Sequence, residues 1–264
     1  MTQAPDFYNF YIEKDRLVNE AVSSLAVKVH AYKSRHGKKS VILTGCAAAN
    51  GTTMVAINLA VALARSGCST LLVDADMRTQ PEHKIRAADS GLCDVIRGAH
   101  ALDRAARQTN VGGLHFMPSG SYAGDPALLF CSAQAADFIG RAAGEYDFVI
   151  IDSPAVTAAP EASALFMSVD GIILVCALDK ATKKQLQGAK DIIEPYADKY
   201  YGLAVNSVDE RQYKRLFPNH GYYLDKAMRA EKRLIGQTER IINPRYLDKA
   251  VCAEKRAGGK RDDA

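Results

Sequence analysis

Thr70–Arg78 reads TLLVDADMR, an apolar run that ends in Asp74 and Asp76, with Arg78 two residues on. Side chains alternate along an extended chain, so carboxylates two apart point the same way. Such a pair can hold Mg2+ through water or take a proton from an attacking hydroxyl. The plainer alternative is that both acids cap the turn after the strand. Two carboxylates held side by side repel, which weighs toward function. Arg78 is placed to orient the acids or to touch a terminal phosphate. A second segment, Tyr146–Pro154 or YDFVIIDSP, stays apolar as far as Asp152 and is stopped by Pro154. Its form is that of an acid that helps to hold Mg2+ through a water shell.

The third segment, Val41–Leu59, reads VILTGCAAANGTTMVAINL. It lies between an apolar run and a helical pattern, where a phosphate loop of the form G-x-x-x-x-G-K-[ST] belongs. Gly51 matches the second glycine, and Thr53 matches the hydroxyl residue that ligates Mg2+. Cys46 stands in place of the first glycine and Thr52 in place of the lysine. No lysine occurs between Lys39 and Lys84. Asn50, Gly51, Thr52 and Thr53 can still offer backbone N–H groups to a phosphate at a helix N-terminus, because that cradle needs little from side chains. What is lost is the point charge on the β- and γ-phosphates. A hydrogen bond to a charged group is worth roughly 1.5–3 kcal/mol. At about 1.4 kcal/mol per tenfold, nucleotide binding is expected to weaken roughly 10–150-fold. Turnover should suffer more, because the transition state carries more charge on the transferring phosphoryl group.

The elements that must position these groups are legible as a pattern. Short apolar runs recur at Val41–Thr44, Thr70–Asp74, Leu114–Pro118, Phe148–Asp152, Gly171–Leu178 and Tyr201–Asn206. FVIID and GIILVCAL are apolar throughout, as befits strands buried on both faces of a parallel sheet. Helical stretches lie between them at Thr53–Ser66, Pro126–Ala143 and Lys184–Tyr196, with an earlier one at Asp15–Lys33. Alternation of this kind predicts an α/β fold with a doubly wound, mostly parallel sheet. Ligands of such sheets bind beyond the carboxyl ends of the strands, where all three segments fall. The organisation expected is an N-terminal arm and helix at 1–37, one α/β domain at 38–209 and a basic, partly helical tail at 210–264.

Composition sets further bounds. Hydrophobic residues make up 48% of the 264 residues and charged residues 24%, enough to bury a sizeable core. No apolar run reaches the roughly eighteen residues of a membrane span. MTQAPDFYNFYIEKD lacks the basic start and apolar stretch of a signal peptide, so a cytoplasmic location is expected. The tail from Glu210 holds 14 Lys and Arg against 8 Asp and Glu, and the rest of the chain 20 against 22. A basic tail on a near-neutral body suits an acidic partner, whether lipid headgroups, a protein or nucleic acid, or is simply solvated. The six cysteines lack C-x-x-C spacing and read as small buried hydrophobes. Lys38 and Lys39 read as surface charges, and His83 as an exposed loop histidine.

Taken together, DADMR, VIIDSP and the altered loop resemble the bacterial tyrosine kinases of the CpsD/CapB type, in the MinD/ParA superfamily of P-loop ATPases. Gly91–Gly98 (GLCDVIRG) and Gly124–Leu129 (GDPALL) resemble two further segments of that family. The resemblance runs from about Glu20 to Asp209. It implies a P-loop NTPase fold, ATP or ADP with Mg2+ as ligands, Asp74, Asp76 and Asp152 serving Mg2+ binding and proton abstraction, and Asn206 contacting adenine. It also implies a role in capsular or exopolysaccharide synthesis, a membrane-bound co-polymerase or activator as partner, a place at the inner face of the membrane, and no specific nucleic acid. There are departures. The loop lysine is replaced by Thr52. The oligomer motif E-x-x-R-x-x-R falls at Glu20, Ser23 and Ala26, without its arginines. The family's tail tyrosine cluster is reduced, with Tyr222 and Tyr223 its best remnant as phosphoacceptors. Three functions follow: a kinase-fold protein impaired in autophosphorylation, an active autokinase with a substitute among Lys180, Lys183 and Lys184, or a MinD/ParA-like positioning ATPase. The last lacks its early loop lysine, since Cys46 and Ala47 stand there.

Overall fold

The apolar runs become strands of one seven-stranded sheet, ordered β3-β4-β2-β5-β1-β6-β7. These are β1 (Ser40–Gly45), β2 (Thr70–Asp74), β3 (Arg107–Gln108), β4 (Leu114–Met117), β5 (Phe148–Asp152), β6 (Gly171–Ala177) and β7 (Tyr200–Asn206). All pairings are parallel except that of β3 with β4. The computed structural model describes residues 10, 16–78, 90–178, 180–209, 211–212 and 215. His83, Cys252, Tyr222, Tyr223 and nearly all of the basic tail lie outside the described residues. The six predicted strands are present to within one residue at each end. β1, β5 and β6 are buried along their whole length, whereas β7, at the sheet edge, is not.

Eight α-helices cover the sheet among the described residues: α1 (Arg16–His36), α2 (Thr52–Arg65), α3 (Leu92–Ile96), α4 (Leu102–Ala105), α5 (Pro126–Phe130), α6 (Ala133–Glu145), α7 (Pro160–Phe166) and α8 (Lys183–Ile193). Alternate residues of each strand feed opposite faces. Ile42, Val73, Ile151 and Leu174 pack with Phe130, Phe138, Phe166 and Ile193 from the α5–α8 side. Leu43, Leu72, Ile150 and Val175 pack with Val29, Leu59 and Leu63 from α1 and α2. Fully burying one such side chain contributes about 1.5–3 kcal/mol. β1 and β5 are neighbours, yet the helices that follow them, α2 and α7, lie on opposite faces. The crevice at the carboxyl ends of β1 and β5 is thus the switch point where such sheets take ligands.

Several expectations need correction: Cys131 is exposed rather than a small buried hydrophobe, and the helix expected at Lys184–Tyr196 ends at Ile193, where the 3-10 helix Glu194–Lys199 takes over. The helix expected at Pro126–Ala143 is two helices. α5 begins at the Asp125 cap, whose Oδ1 accepts from the Ala127 N–H at 2.9 Å. It gives way at Cys131, and the Ser132 hydroxyl then caps α6 by accepting from the Ala135 N–H at 3.2 Å. Lys39 is no simple surface charge: its Nζ donates to the carbonyls of Ala143 and Tyr146 at 2.7 and 3.1 Å, closing the end of α6. α1 is held by a 2.6 Å ion pair from Lys33 to Asp147 and by stacking of Tyr32 on Tyr201 at 3.6 Å.

Candidate functional site

Three successive strands carry the predicted groups. β1 runs into the loop at 46–51, its neighbour β5 ends at Asp152, and β2 beyond it ends at Asp74. Asp74 and Asp152 are register partners in the parallel pair β2–β5, so the structure brings these two acids together across strands. Asp152 is buried and Asp74 half-buried. Along the chain, the Asp76 N–H donates to Asp74 Oδ1 at 3.0 Å, and the Arg78 N–H donates to Asp76 Oδ1 at 3.0 Å. Asp74 and Asp76 each accept a backbone hydrogen bond that caps a turn, as the plainer alternative expects.

The Arg78 side chain is engaged by a third acid. Its Nε donates to Oε1 of Glu161, in the first turn of α7, in a short ion pair. Glu161 is fully buried while the Arg78 side chain is 53% exposed. The hydrogen bond and charge of Glu161 hold the guanidinium proton more tightly than usual. Sequence reading missed Glu161. Its signal was an acid directly after Pro160 at a helix start, where the helix dipole favours negative charge.

The loop is braced from within. The Asn50 side chain is buried: its Nδ2 donates to the carbonyls of Ala47 and Ala48 at 2.8 and 3.2 Å, and its Oδ1 accepts from the Ala177 N–H at 2.7 Å. Cys46 Sγ–H also donates to that oxygen, at 3.3 Å. Asn50 can therefore meet a ligand only through its backbone. Asn206, at the end of β7, donates from Nδ2 to the Asn50 carbonyl at 3.0 Å. A Cβ on Gly51 would come within 2.3 Å of that same Nδ2, and Gly51 has a φ of 76°, so both space and conformation require glycine here. Ala49 is likewise left-handed, with a φ of 59°. The turn segment after Asp152 supplies outer supports. Val156 N–H donates to the Gly45 carbonyl at 3.0 Å, Thr157 Oγ1 to the Cys46 carbonyl at 2.9 Å, and Thr44 Oγ1 to the Pro154 carbonyl at 2.7 Å.

At the loop's end Thr52 and Thr53 open α2, a helix of 14 residues whose first N–H groups have no intrahelical acceptor. Thr52 Oγ1 lies 2.9 Å from where a Cβ on Gly45 would be, and Thr53 is exposed. Lys180, Lys183 and Lys184 are exposed beyond β6, and the Lys180 N–H donates to the carbonyl of Ala177, the residue that Asn50 grips. These features fit a Mg2+-nucleotide: left-handed backbone at Ala49 and Gly51, a helix start, and two acids on adjacent strand ends. Among the described residues no group of three or more His, Cys, Asp and Glu could hold a metal by itself. Mg2+ commonly keeps waters and phosphate oxygens as ligands beside one or two carboxylates, so the donor set suits it.

Residues 47–198 match the AAA domain family. The chain is similar to the tyrosine-protein kinase CpsD of Streptococcus pneumoniae serotype 4, at 30% identity over 174 residues, or 65% of this chain and 77% of that one. It is also 26% identical over 209 residues to the tyrosine-protein kinase wzc of Salmonella typhi, covering 78% of this chain but spanning only 29% of that protein. Among solved structures, the kinase domain of the Escherichia coli tyrosine kinase ETK matches with a TM-score of 0.67 at 25% identity, over 73% of this chain and 76% of that domain.

Proposed function

The chain belongs to the bacterial tyrosine-protein kinases, an AAA-domain family with the P-loop ATPase fold, and on that premise we propose that it is a kinase-fold protein of capsular or exopolysaccharide synthesis, impaired in ATP-dependent autophosphorylation. In this reading it holds Mg2+-ATP or Mg2+-ADP weakly and acts through a membrane-bound co-polymerase or activator. Among the described residues no helix is long and apolar enough to cross a membrane, and the partner brings the chain to the membrane's inner face. The basic tail adds attraction to acidic lipid.

The observation that carries the reading is Thr52 in the lysine position, its hydroxyl close against Gly45 within a loop that keeps its other supports. Backbone N–H groups at the start of α2 would cradle the phosphates. Asp74 and Asp152 would hold the water shell of Mg2+, with Thr53 as a direct ligand. No described side chain between Lys39 and Arg65 brings a positive charge to the loop. Lys180 favours a second reading, an active autokinase, because its turn is joined through Ala177 to the loop itself.

Calorimetry of Mg2+-ATP and Mg2+-ADP against the native protein and Thr52→Lys separates the two. Absent or weak native binding, tightened roughly 10–150-fold by Thr52→Lys, is expected, since a charged hydrogen bond is worth roughly 1.5–3 kcal/mol. Submicromolar native binding with labelled phosphate on Tyr222 or Tyr223 would sink the impaired reading and direct attention to Lys180.

A further inference from the structure

Cys46 is the residue at which the phosphate loop leaves β1, and Cys176 lies near the end of the neighbouring strand β6. Gly45 and Val175 are register partners. One step further, the Cys46 N–H donates to the Val175 carbonyl at 2.9 Å, which sets Cys46 opposite Cys176. Both side chains belong to the same face of the sheet, with Ile42 and Leu174. Each thiol lies within the electrostatic surroundings of the other, so that Cys176 helps to raise the Cys46 thiol. Paired strands lie about 4.8 Å apart, within the roughly 4.4–6.8 Å between Cα atoms that a disulfide spans. Both are free thiols, Cys46 fully buried and Cys176 8% exposed.

We propose that Cys46 and Cys176 are a reversible dithiol–disulfide pair which, oxidised by a low-molecular-weight disulfide, fastens the first residue of the phosphate loop to β6. Cys176, the more accessible thiol, loses its proton and attacks one sulfur of the small disulfide. That S–S bond breaks, a mixed disulfide forms and one small thiol leaves. Cys46 then loses its proton and attacks the Cys176 sulfur, releasing the second small thiol. Two protein thiols have become one disulfide, and the two electrons now reside in the two small thiols.

Burial, with the hydrogen bond and charge of Cys176, pushes the Cys46 thiol up to about 12. Little thiolate exists at neutral pH, so exchange is slow and answers sustained oxidation rather than a brief pulse. Oxidation also removes the Sγ–H that donates to Asn50 Oδ1, the oxygen that grips Ala177. The loop would exchange one hydrogen bond for a covalent tether. Only the consequence for nucleotide rests on the function proposed above; the cross-link does not.

The test is prolonged incubation of the full chain with glutathione disulfide, followed by acid quench, unfolding, alkylation and peptide mapping. The expected product has lost two hydrogens and carries a cross-linked peptide joining Cys46 to Cys176. Alkylatable thiols fall from six by two. Dithiothreitol restores them, and Cys176→Ser does not form the cross-link. Glutathione adducts on exposed Cys131 or half-buried Cys68 alone, with Cys46 and Cys176 still alkylated after unfolding, would overturn the proposal. The map of the native chain decides even where Cys176→Ser fails to fold. A mapped Cys46–Cys176 bond that leaves Mg2+-ADP binding unchanged would uphold the pair and count against the loop as the phosphate site.

Discussion

Replacing Asn50 by alanine tests whether this side chain is a brace or a ligand contact. Besides the weak Cys46 Sγ–H donor, the buried amide engages two partners that water reaches poorly, the Ala177 N–H at 2.7 Å and the Ala47 carbonyl at 2.8 Å. Ala177 is fully buried and Ala47 is 9% exposed. The third partner, the Ala48 carbonyl, belongs to an exposed residue and can turn to solvent. A buried polar group left without a partner costs about 1–3 kcal/mol. Two such groups put the loss for Asn50→Ala at about 2–6 kcal/mol. In a chain of this size each kcal/mol moves the thermal midpoint by about 2–4 °C, so a fall of roughly 4–24 °C is expected. Urea unfolding followed by far-UV circular dichroism should give the same loss with an unchanged slope. Asn50→Asp should do no better, because its second carboxylate oxygen would face the Ala47 and Ala48 carbonyls. A loss below about 0.5 kcal/mol in Asn50→Ala, the range of ordinary surface substitutions, would refute the argument and return Asn50 to the ligand.

Two further outcomes follow from the ion pairs. Arg78→Ala strands the buried Glu161 carboxylate, whereas Glu161→Gln leaves the guanidinium exposed to water. Urea midpoints should therefore fall further for Arg78→Ala than for Glu161→Gln, and equal midpoints would show that Glu161 is not sealed off. The Asp147 carboxyl is held down to about 2, first by the hydrogen bond from Lys33 and then by the Ser69 N–H. Its folded value lies below the ordinary 3.8, so the stabilisation is full above about pH 4 and is lost as pH falls toward 2. The pair is partly exposed, so a Lys33→Ala and Asp147→Ala double-mutant cycle at pH 7 should give about 0.5–1 kcal/mol. The coupling should vanish near pH 2, and its persistence there would rule out the ionic origin.

The sheet was legible because its strands are buried on both faces. That burial demands unbroken apolar runs, which end sharply at Asp74 and Asp152. Short elements left less trace: β3 has two residues, and α4 has four, too few for a period to emerge. The break between α5 and α6 was written in Ser132 as a cap, but the apolar period carries through it and masks the stop. The acids and the loop position could be read from strand ends alone. The partners of Asn50, Asn206 and Arg78 could not, because Ala177, the Asn50 carbonyl and Glu161 lie 127, 156 and 83 residues away in the chain. Residue type states what a side chain can bond, and only the fold states which remote group it meets.

Those remote bonds bear on how a phosphate loop can outlast its lysine. A lysine in that position contributes charge to the ligand, not shape to the loop. Here the shape comes from Asn50 between β6 and the loop, Asn206 on the Asn50 carbonyl, Val156 and Thr157 on the first residues, and the left-handed turn at Gly51. None of these involves Thr52. On the function proposed above, Thr52 in the lysine position costs a binding increment without loosening the cradle, and Thr52→Lys should raise affinity without a matching change in stability. A Thr52→Lys protein that bound nucleotide no better, and unfolded at a clearly lower urea concentration, would mean that the loop had settled into a form no phosphate fits.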